Sequence, residues 1–318
     1  MKIICFLFFL GAFSLLTHAQ QRYAEAVFDS VSVQTYTYAV KQGQTLDLDL
    51  YTPAFDAAQE RPLIIYVHGG GFSSGTRNSQ GISDFCHRLA TYGYSAVSIS
   101  YRLTRKDQPT AFGCDCPAAD KRNTFQWAVE DLQDATFFLI QNRETFGINP
   151  QQIILAGSSA GAETVLNAAY QPPYCYGLDS GPVSYAGVIS MAGAIPDITK
   201  LYNESAVPSL LFHGTCDNLV PYATASHHHC QPSQPGYLVL YGSFPIAEKL
   251  KELQVPGWLH TTCGGRHELA SSPMTHYFDE IIEFCHQFVL LQKGETRHTI
   301  IPGNPKNCNY QQFDFCTP

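Results

Sequence analysis

The chain has 318 residues, of which 45% are hydrophobic and 14% are charged, and its formal net charge is -8 at pH 7. This length suffices for one large α/β domain with a substantial core, and the composition is that of an ordinary globular protein. Lys and Arg are scattered and are outnumbered by Asp and Glu, 19 to 27, so no basic patch for a phosphate backbone is recognisable. Nucleic acid is therefore excluded as an expected partner.

The first residues have the features of a secretory signal peptide. An almost uninterrupted apolar run covers residues 3–16, and Thr17 and Ala19 are small residues at the positions that a signal peptidase reads. We expect a signal peptide of residues 1–19 and a mature chain that is secreted or periplasmic and does not enter a membrane. An uncleaved N-terminal anchor is the alternative.

Ten of the eleven cysteines follow this segment, and an even number in an exported chain predicts several disulfides. Cys216 and Cys263 lie near two candidate site residues described below. A bond from either of them, to the other or to Cys230, would brace a loop of the site, and the sequence leaves the pairing open. Cys86 and Cys285 occupy apolar helix positions and are expected to be buried thiols.

Along the chain, alternating segments at 33–40 and 45–51 flank Gly43 and predict an antiparallel hairpin at a sheet edge. Residues 62–67 form a continuous apolar run, typical of a strand covered on both faces. Further strands are expected at 95–100, 153–157, 185–190, 209–212 and 258–262, and helices at 79–93, 124–141, after 159, 245–254 and 274–291. Strands that alternate with helices predict a mainly parallel sheet with helices on both faces.

The segment after Lys293 is rich in Gly, Pro and Asn. We expect a catalytic domain at 20–292 and a tail at 293–318 that lies on it. A disulfide between Cys308 and Cys316 is predicted to order this tail, because the compartment is oxidising and the flanking residues favour no regular structure.

An apolar run ends in Gly157-Ser158-Ser159-Ala160-Gly161 and continues as a helical segment. A strand that turns directly into a helix strains the backbone of the corner residue, and glycines two positions to either side avoid Cβ clashes. Ser159 is this corner residue, and its hydroxyl should stand above the sheet near the first amides of the helix. Ser159 is the candidate nucleophile, although packing alone also favours small residues at such a turn.

Two further candidates follow strands that come later in the chain, and working groups of open parallel sheets collect at the carboxyl ends of strands. Asp217 follows the strand that ends at Phe212, and His267 follows the last predicted strand after two glycines. A serine needs a base to accept its proton, so we expect His267 to be that base and Asp217 to fix its tautomer. Asp197 follows a different strand and His260 lies within one, which makes both weaker candidates.

The segment His68-Gly69-Gly70-Gly71-Phe72 follows another buried strand. Consecutive glycines let the main chain approach a reacting carbon. The N–H groups of Gly70, Gly71 and Ala160 are therefore candidate donors to an oxyanion. A glycine-rich turn that serves flexibility alone is the alternative.

The segment Ser226-His227-His228-His229-Cys230 contains the residue types that bind zinc. Adjacent residues cannot all point at one ion, and no second cluster at ligand spacing stands nearby. We therefore expect a surface loop and no metal. Cys114 and Cys116 are also of a residue type that binds zinc, but we expect them to form separate disulfides or disulfides to other loops, because the chain is exported.

Together, His68-Gly69-Gly70-Gly71, the pentapeptide around Ser159, Asp217 and His267 resemble the HGGG carboxylesterase branch of the α/β-hydrolase superfamily. The chain is similar to bacterial secreted acetylxylan and feruloyl esterases over roughly residues 33–292. The resemblance implies the α/β-hydrolase fold, with a mostly parallel eight-stranded sheet flanked by helices on both faces. It also implies hydrolysis of acyl esters through an acyl-enzyme, without a cofactor.

The leading hypothesis is a secreted serine carboxylesterase. Its expected substrates are esters of a short acyl chain or esters linked to a carbohydrate or an aromatic group, and they are either small molecules or attached to a polysaccharide. Loops at 104–123 and 170–185 are expected to wall an open pocket for a small acyl group, since neither contains a lipase-like amphipathic lid. One alternative is a serine peptidase of the prolyl-oligopeptidase type, whose usual extra domain has no room in this chain. The other is a non-catalytic binding protein on a hydrolase scaffold, which typically lacks a triad member.

Overall fold

The computed structural model describes residues 22–170, 184–304 and 312–317. In this part of the chain the main sheet has nine strands, in the spatial order β1-β2-β4-β3-β5-β6-β7-β10-β11, and β8 pairs separately with β9. The strands are β1 Val31–Lys41, β2 Gln44–Pro53, β3 Arg61–Val67, β4 Ser95–Ile99, β5 Ile148–Ser158, β6 Gly187–Met191, β7 Ser209–Gly214, β8 Thr224–Ser226, β9 Val239–Tyr241, β10 Gly257–Thr262 and β11 Arg297–Ile301.

The main sheet is antiparallel only at one edge, where β1 pairs with β2 and β2 with β4. All other pairs in it are parallel. The expected edge hairpin and mainly parallel sheet are therefore confirmed. The helices are α1 Gln80–Thr91, α2 Ala118–Gln141, α3 Arg143–Phe146, α4 Ala160–Ala169, α5 Ser243–Glu252, α6 Pro273–His276 and α7 Phe278–Glu283, followed by a π-helical segment at Phe284–Leu290.

Successive side chains of a strand point to opposite faces of the sheet, and this divides the core into two layers. Leu63, Ile65 and Val67 of β3 pack in the layer covered by α2, α4 and α5. Ile64 and Tyr66 pack in the other, which is covered by α1, α7 and the π-helical segment. Every residue of β3 is buried, as its continuous apolar run predicts. Helices therefore lie on both faces, and the fold is that of an α/β hydrolase.

The expected tail does not simply lie on the domain, because part of it forms a ninth strand. β11 runs parallel to β10, and Trp258 Nε1 donates a hydrogen bond to Thr299 Oγ1 at 2.9 Å. The Arg297 guanidinium lies 5.0 Å from the Trp258 ring centroid. The count of eight strands was one too low because this edge strand is recognisable only by its partner.

The predicted Cys308–Cys316 disulfide is wrong, because Cys316 is bonded to Cys263. Parallel pairing brings the ends of β10 and β11 to the same edge, where Cys263 N donates to Ile301 O at 3.0 Å. Residues 312–317 lie on the domain, where the Phe313 ring packs 5.1 Å from that of Tyr222. Cys316 is therefore close enough to Cys263 to bond to it, and Cys308 lies outside the described residues.

Breaking this bond is expected to destabilise the protein measurably. The disulfide spans 53 residues of sequence, and loss of a disulfide typically costs about 2–4 kcal/mol of the free energy of unfolding. Cys316→Ser and Cys263→Ser should each show this loss in denaturant unfolding, and the double variant should lose no more than either. Additive losses, or a peptide map that joins Cys316 to Cys308 under non-reducing conditions, would contradict the assignment.

Some expectations concern residues that the structure does not describe. The signal peptide at 1–19 remains a prediction, as does the wall expected from residues 171–183. In the described ranges, no helix combines the length and the apolar character that crossing a bilayer requires.

Candidate active site

Ser159 occupies the sharp corner between β5 and α4. Its φ of 51° and ψ of -121° lie outside the common regions for a non-glycine residue, and its N–H is held by Met191 O at 2.9 Å. A Cβ on Gly157 would collide with Gly161 O, and a Cβ on Gly161 would collide with Val67 O. The flanking glycines thus permit the close crossing of backbones that holds the Ser159 hydroxyl at the strand end.

The structure brings Ser159, His267 and Asp217 together from distant parts of the chain. His267 Nε2 lies 2.7 Å from Ser159 Oγ, and His267 Nδ1 lies 2.7 Å from Asp217 Oδ2. A carboxylate only accepts hydrogen bonds, so Nδ1 carries the hydrogen and Nε2 is left to accept the hydrogen of the Ser159 hydroxyl.

Asp217 is held as a buried anion. Its side chain is 0% exposed, and its Oδ1 accepts hydrogen bonds from Leu219 N at 2.9 Å and Val220 N at 3.0 Å. Burial alone would raise the pKa of Asp217, but hydrogen bonds from His213 and His267 hold that pKa well below its usual range. The carboxylate is therefore ionised at neutral pH and can accept the hydrogen bond from His267 Nδ1.

The sequence interpretation overlooked His213, which also contacts this carboxylate. His213 Nε2 donates to Val220 O at 3.0 Å and lies 3.4 Å from Asp217 Oδ2, while its Nδ1 lies 2.9 Å from Ser243 Oγ. The spacing of four residues between His213 and Asp217, at the end of one strand, was the available signal.

The glycine segment after β3 lies against the corner serine. A Cβ on Gly69 would stand 3.2 Å from Ser159 Cβ and 2.9 Å from Ser158 O, so a larger residue would crowd this contact. Gly70 and Gly71 have φ values of 120° and 58°, which favour glycine. Within the described residues, the N–H groups of Gly70, Gly71 and Ala160 donate to no protein acceptor.

Two hydrogen bonds anchor this segment from outside. Tyr101 Oη donates to His68 O at 2.9 Å, and Arg105 N donates to Phe72 O at 2.9 Å. Burial raises the pKa of Tyr101, so its hydroxyl keeps the hydrogen that it donates. The backbone donors are thus presented from a segment fixed at both ends.

Comparison with known proteins points to one superfamily. The BD-FAE family model matches residues 48–173, and the Phospholipase/Carboxylesterase model matches residues 117–231. Propionate-bound esterase 2 of Thermogutta terrifontis superposes with a TM-score of 0.57 at 19% identity, over 82% of this chain and 94% of that one. The chain has the α/β-hydrolase fold. Its resemblance to the carboxylesterases is confirmed as well.

Sequence relatives of the chain include esterases. Gut esterase 1 of Caenorhabditis elegans is 30% identical over 115 residues, which are 36% of this chain and 19% of that protein. Ethyl acetate hydrolase of Pseudomonas putida is 26% identical over 141 residues, which are 44% of this chain and 39% of that protein. The matches therefore span well under half of either relative.

The histidine-rich segment at 226–230 is not the surface loop that we expected. His227 is only 1% exposed, and His228 N donates to Leu219 O at 2.8 Å. His229 Nε2 donates to Asp217 O at 3.1 Å, and the Cys114–Cys230 disulfide holds the end of the segment. These contacts fold it onto the Asp217 loop. No group of three or more His, Cys, Asp or Glu side chains suited to a metal occurs in the described ranges.

In the part of the chain that the structure describes, the two weaker candidates make their contacts with residues other than Ser159 and His267. Asp197 Oδ1 accepts hydrogen bonds from Thr199 N and Oγ1, at 3.0 and 2.6 Å, at the start of a 3-10 turn. His260 lies within β10, with its ring centroid 4.2 Å from that of Tyr277. Burial lowers the pKa of His260 to about 4, so the ring is neutral.

The cysteines brace the site in a pattern that the sequence left open. Cys216 and Cys263 are both disulfide-bonded, Cys263 to Cys316 and not to Cys230. Cys86 and Cys285 are buried free thiols, as expected, whereas Cys116, for which a disulfide was expected, is a buried free thiol as well.

Proposed function

We propose that this protein is a serine carboxylesterase that acts through an acyl-enzyme. Its substrates are esters of a short acyl chain, or esters linked to a carbohydrate or an aromatic group. The observation that carries the proposal is the continuous contact from Ser159 Oγ through the His267 ring to the Asp217 carboxylate. Beside it lie backbone N–H groups that have no acceptor among the described residues. The similarity to esterases supports the same reaction.

In the first half of the reaction, Ser159 Oγ attacks the ester carbonyl carbon while His267 Nε2 takes the hydroxyl proton. Asp217 stabilises the resulting imidazolium through Nδ1–H. The carbonyl oxygen becomes an oxyanion, to which Gly70, Gly71 and Ala160 donate hydrogen bonds. The bond to the alcohol then breaks, and the alcohol leaves with the proton from His267.

In the second half, water attacks the acyl carbon and gives its proton to His267 Nε2. A second oxyanion forms at the same backbone donors. The bond between the acyl carbon and Ser159 Oγ then breaks, the serine regains its proton from His267, and the carboxylic acid is released. The cycle requires no further group.

The proposal is tested by hydrolysis of p-nitrophenyl acetate, with and without a serine-directed organophosphate. We expect turnover that the organophosphate abolishes, and one covalent adduct on the peptide that contains Ser159. A folded protein that neither hydrolyses esters nor forms the adduct would instead be a binding protein on a hydrolase scaffold. Preferential cleavage of a proline peptide over the ester would indicate a peptidase.

We further propose that the protein is exported. The apolar run at 3–16 and the disulfides Cys114–Cys230 and Cys263–Cys316 support an oxidising destination. N-terminal sequencing of the protein recovered outside the cytoplasm should begin near Gln20. A start at Met1 would argue for an uncleaved anchor.

We expect acetyl or butyryl esters to be preferred over palmitoyl esters by about tenfold or more in kcat/KM. The loop expected to form one wall, residues 104–123, is held at two points, because Arg105 N donates to Phe72 O and Cys114 is bonded to Cys230. One methylene in a close-fitting pocket changes the binding free energy of the transition state by about 1–3 kcal/mol, so a tenfold preference between two acyl chains is physically attainable. Initial rates on a soluble p-nitrophenyl ester series test it.

An emulsified long-chain ester provides the control for this preference. A rate that rises sharply above the solubility limit of the ester, or a preference for palmitoyl, would contradict the open, fixed pocket. Neither result would affect the assignment of Ser159.

A further inference from the structure

A second contact between an acid and an imidazole is buried beside the candidate site. Glu163 lies on α4, four residues after Ser159, and Glu163 Oε1 is 3.5 Å from His227 Nε2. Their side chains are only 2% and 1% exposed. Neither residue takes part in the reaction proposed above, yet charged residue types are rarely buried without a purpose or a partner.

Polar atoms of this pair lack partners. Among the described residues, Glu163 Oε1 and His227 Nδ1 have no hydrogen-bond partner. A buried polar atom without a partner is costly, and the cost is greater for a charged group. One proton between Glu163 Oε1 and His227 Nε2 gives both facing atoms a partner and leaves neither side chain charged.

The surroundings favour the uncharged forms. Burial raises the pKa of Glu163 well above its usual value, Lys121 opposes this, and repulsion from Asp217 adds to it. Burial also lowers the pKa of His227 well below its usual value. The titratable and charged groups that act on the pair come from several elements: Lys121 on α2, Tyr101 after β4, Asp217 after β7, His228 beside His227, and His267 after β10.

Lys121 is not a direct counter-ion of Glu163. Its Nζ donates to Gly236 O at 2.9 Å, and no carboxylate of the described residues lies within ion-pair distance of it. Burial lowers the pKa of Lys121 as well. The charge on Lys121 therefore does not require an anion at Glu163.

The pair connects two parts of the site that are far apart in sequence. Glu163 is on the helix that begins directly after Ser159, and His227 begins the turn whose next residues hold the Asp217 loop. His228 N donates to Leu219 O at 2.8 Å, and His229 Nε2 donates to Asp217 O at 3.1 Å. A displacement of His227 would thus move the loop that orients His267.

We propose that Glu163 acts as a neutral carboxylic acid that donates a hydrogen bond to His227 Nε2, and that this pair positions Asp217 relative to Ser159. Glu163 and His227 are then positioning residues, since neither touches the reacting atoms. Their effect on turnover rests on the proposed function. The protonation of Glu163 does not, and it can be tested separately.

Two substitutions test the positioning role on p-nitrophenyl acetate. Glu163→Gln keeps the shape and supplies an amide N–H donor, so kcat should stay within about threefold of the wild type. Glu163→Leu has no donor, and kcat should fall about 10- to 100-fold with little change in KM, the scale expected for a displaced reacting group. An equal loss of kcat in both variants, or none in Glu163→Leu, would refute the role.

The pH dependence of stability tests the protonation of Glu163 without any activity measurement. A carboxyl whose pKa is raised by folding keeps a proton that the unfolded chain releases above about pH 4.3, so folding stability falls as pH rises from there. Gln cannot ionise and escapes this loss. We therefore expect the Tm of Glu163→Gln, relative to the wild type, to rise by roughly 2–4 °C between pH 5 and pH 8.

Asp131→Asn is the matched control, since Asp131 is a buried carboxylate with direct cationic partners, Arg102 Nη2 at 2.8 Å and Lys41 Nζ at 2.9 Å. Its Tm should fall below the wild type at pH 8. The Tm of Glu163→Gln could instead fall below that of the wild type at pH 8, as expected for Asp131→Asn. If a second substitution, Lys121→Met, then restores this Tm, Glu163 is an anion and the proposal is wrong. A wild type without esterase activity would refute the proposed function and leave this stability test intact.

Discussion

Replacing Ser159 with alanine is expected to abolish turnover while the protein remains folded. The Ser159 hydroxyl lies 2.7 Å from His267 Nε2, and the residue is only partly buried at the corner, so the hydroxyl contributes little to packing. Loss of the nucleophile in a serine hydrolase lowers kcat on the order of 10⁶-fold. Ester hydrolysis by the purified variant measures turnover, and its circular dichroism and Tm report whether it is folded.

Ser158→Ala is the matched control for the nucleophile. Ser158 is the adjacent serine, the last residue of β5, and is only 8% exposed, so its hydroxyl does not stand at the corner. We expect a much smaller loss of kcat than for Ser159→Ala. Equal losses in two folded variants would show that the nucleophile is assigned wrongly.

Asp217→Asn is expected to lower kcat by about four orders of magnitude, the scale for loss of the orienting carboxylate of a serine triad. The amide can donate where the carboxylate only accepts, which favours the wrong tautomer of His267, and it no longer offsets the imidazolium charge. Burial increases the expected loss of kcat. Asp217 Oδ2 accepts the hydrogen bond from His267 Nδ1 at 2.7 Å, and the Asp217 side chain is 0% exposed. Steady-state kinetics on p-nitrophenyl acetate provide the measurement.

Asp197→Asn serves as the comparison for this loss. Asp197 is partly exposed, and within the described residues its side chain hydrogen-bonds only to Thr199 of its own turn, so kcat should stay within a few-fold of the wild type. A large loss at Asp197 and a small one at Asp217 would transfer the acid role to the loop after β6.

The sequence alone was sufficient for the features that depend on neighbouring residues. The run at 62–67 predicted a buried strand because apolar continuity reflects cover on both faces. Gly157 and Gly161 predicted the strained corner at Ser159 because a clash with a Cβ is a local steric property. The positions of Asp217 and His267 after strands followed from parallel topology, which places strand ends at one edge.

Only the tertiary structure decided the contacts that join distant segments. β11 became a strand by pairing with β10, and the same pairing brought Cys316 to Cys263 rather than to Cys308. The Cys114–Cys230 bond spans 116 residues, and with it the histidine segment closed onto Asp217 and buried His227 against Glu163. Such contacts depend on strand order, register and side-chain packing over the whole domain, and these are set by interactions that no short stretch of sequence contains.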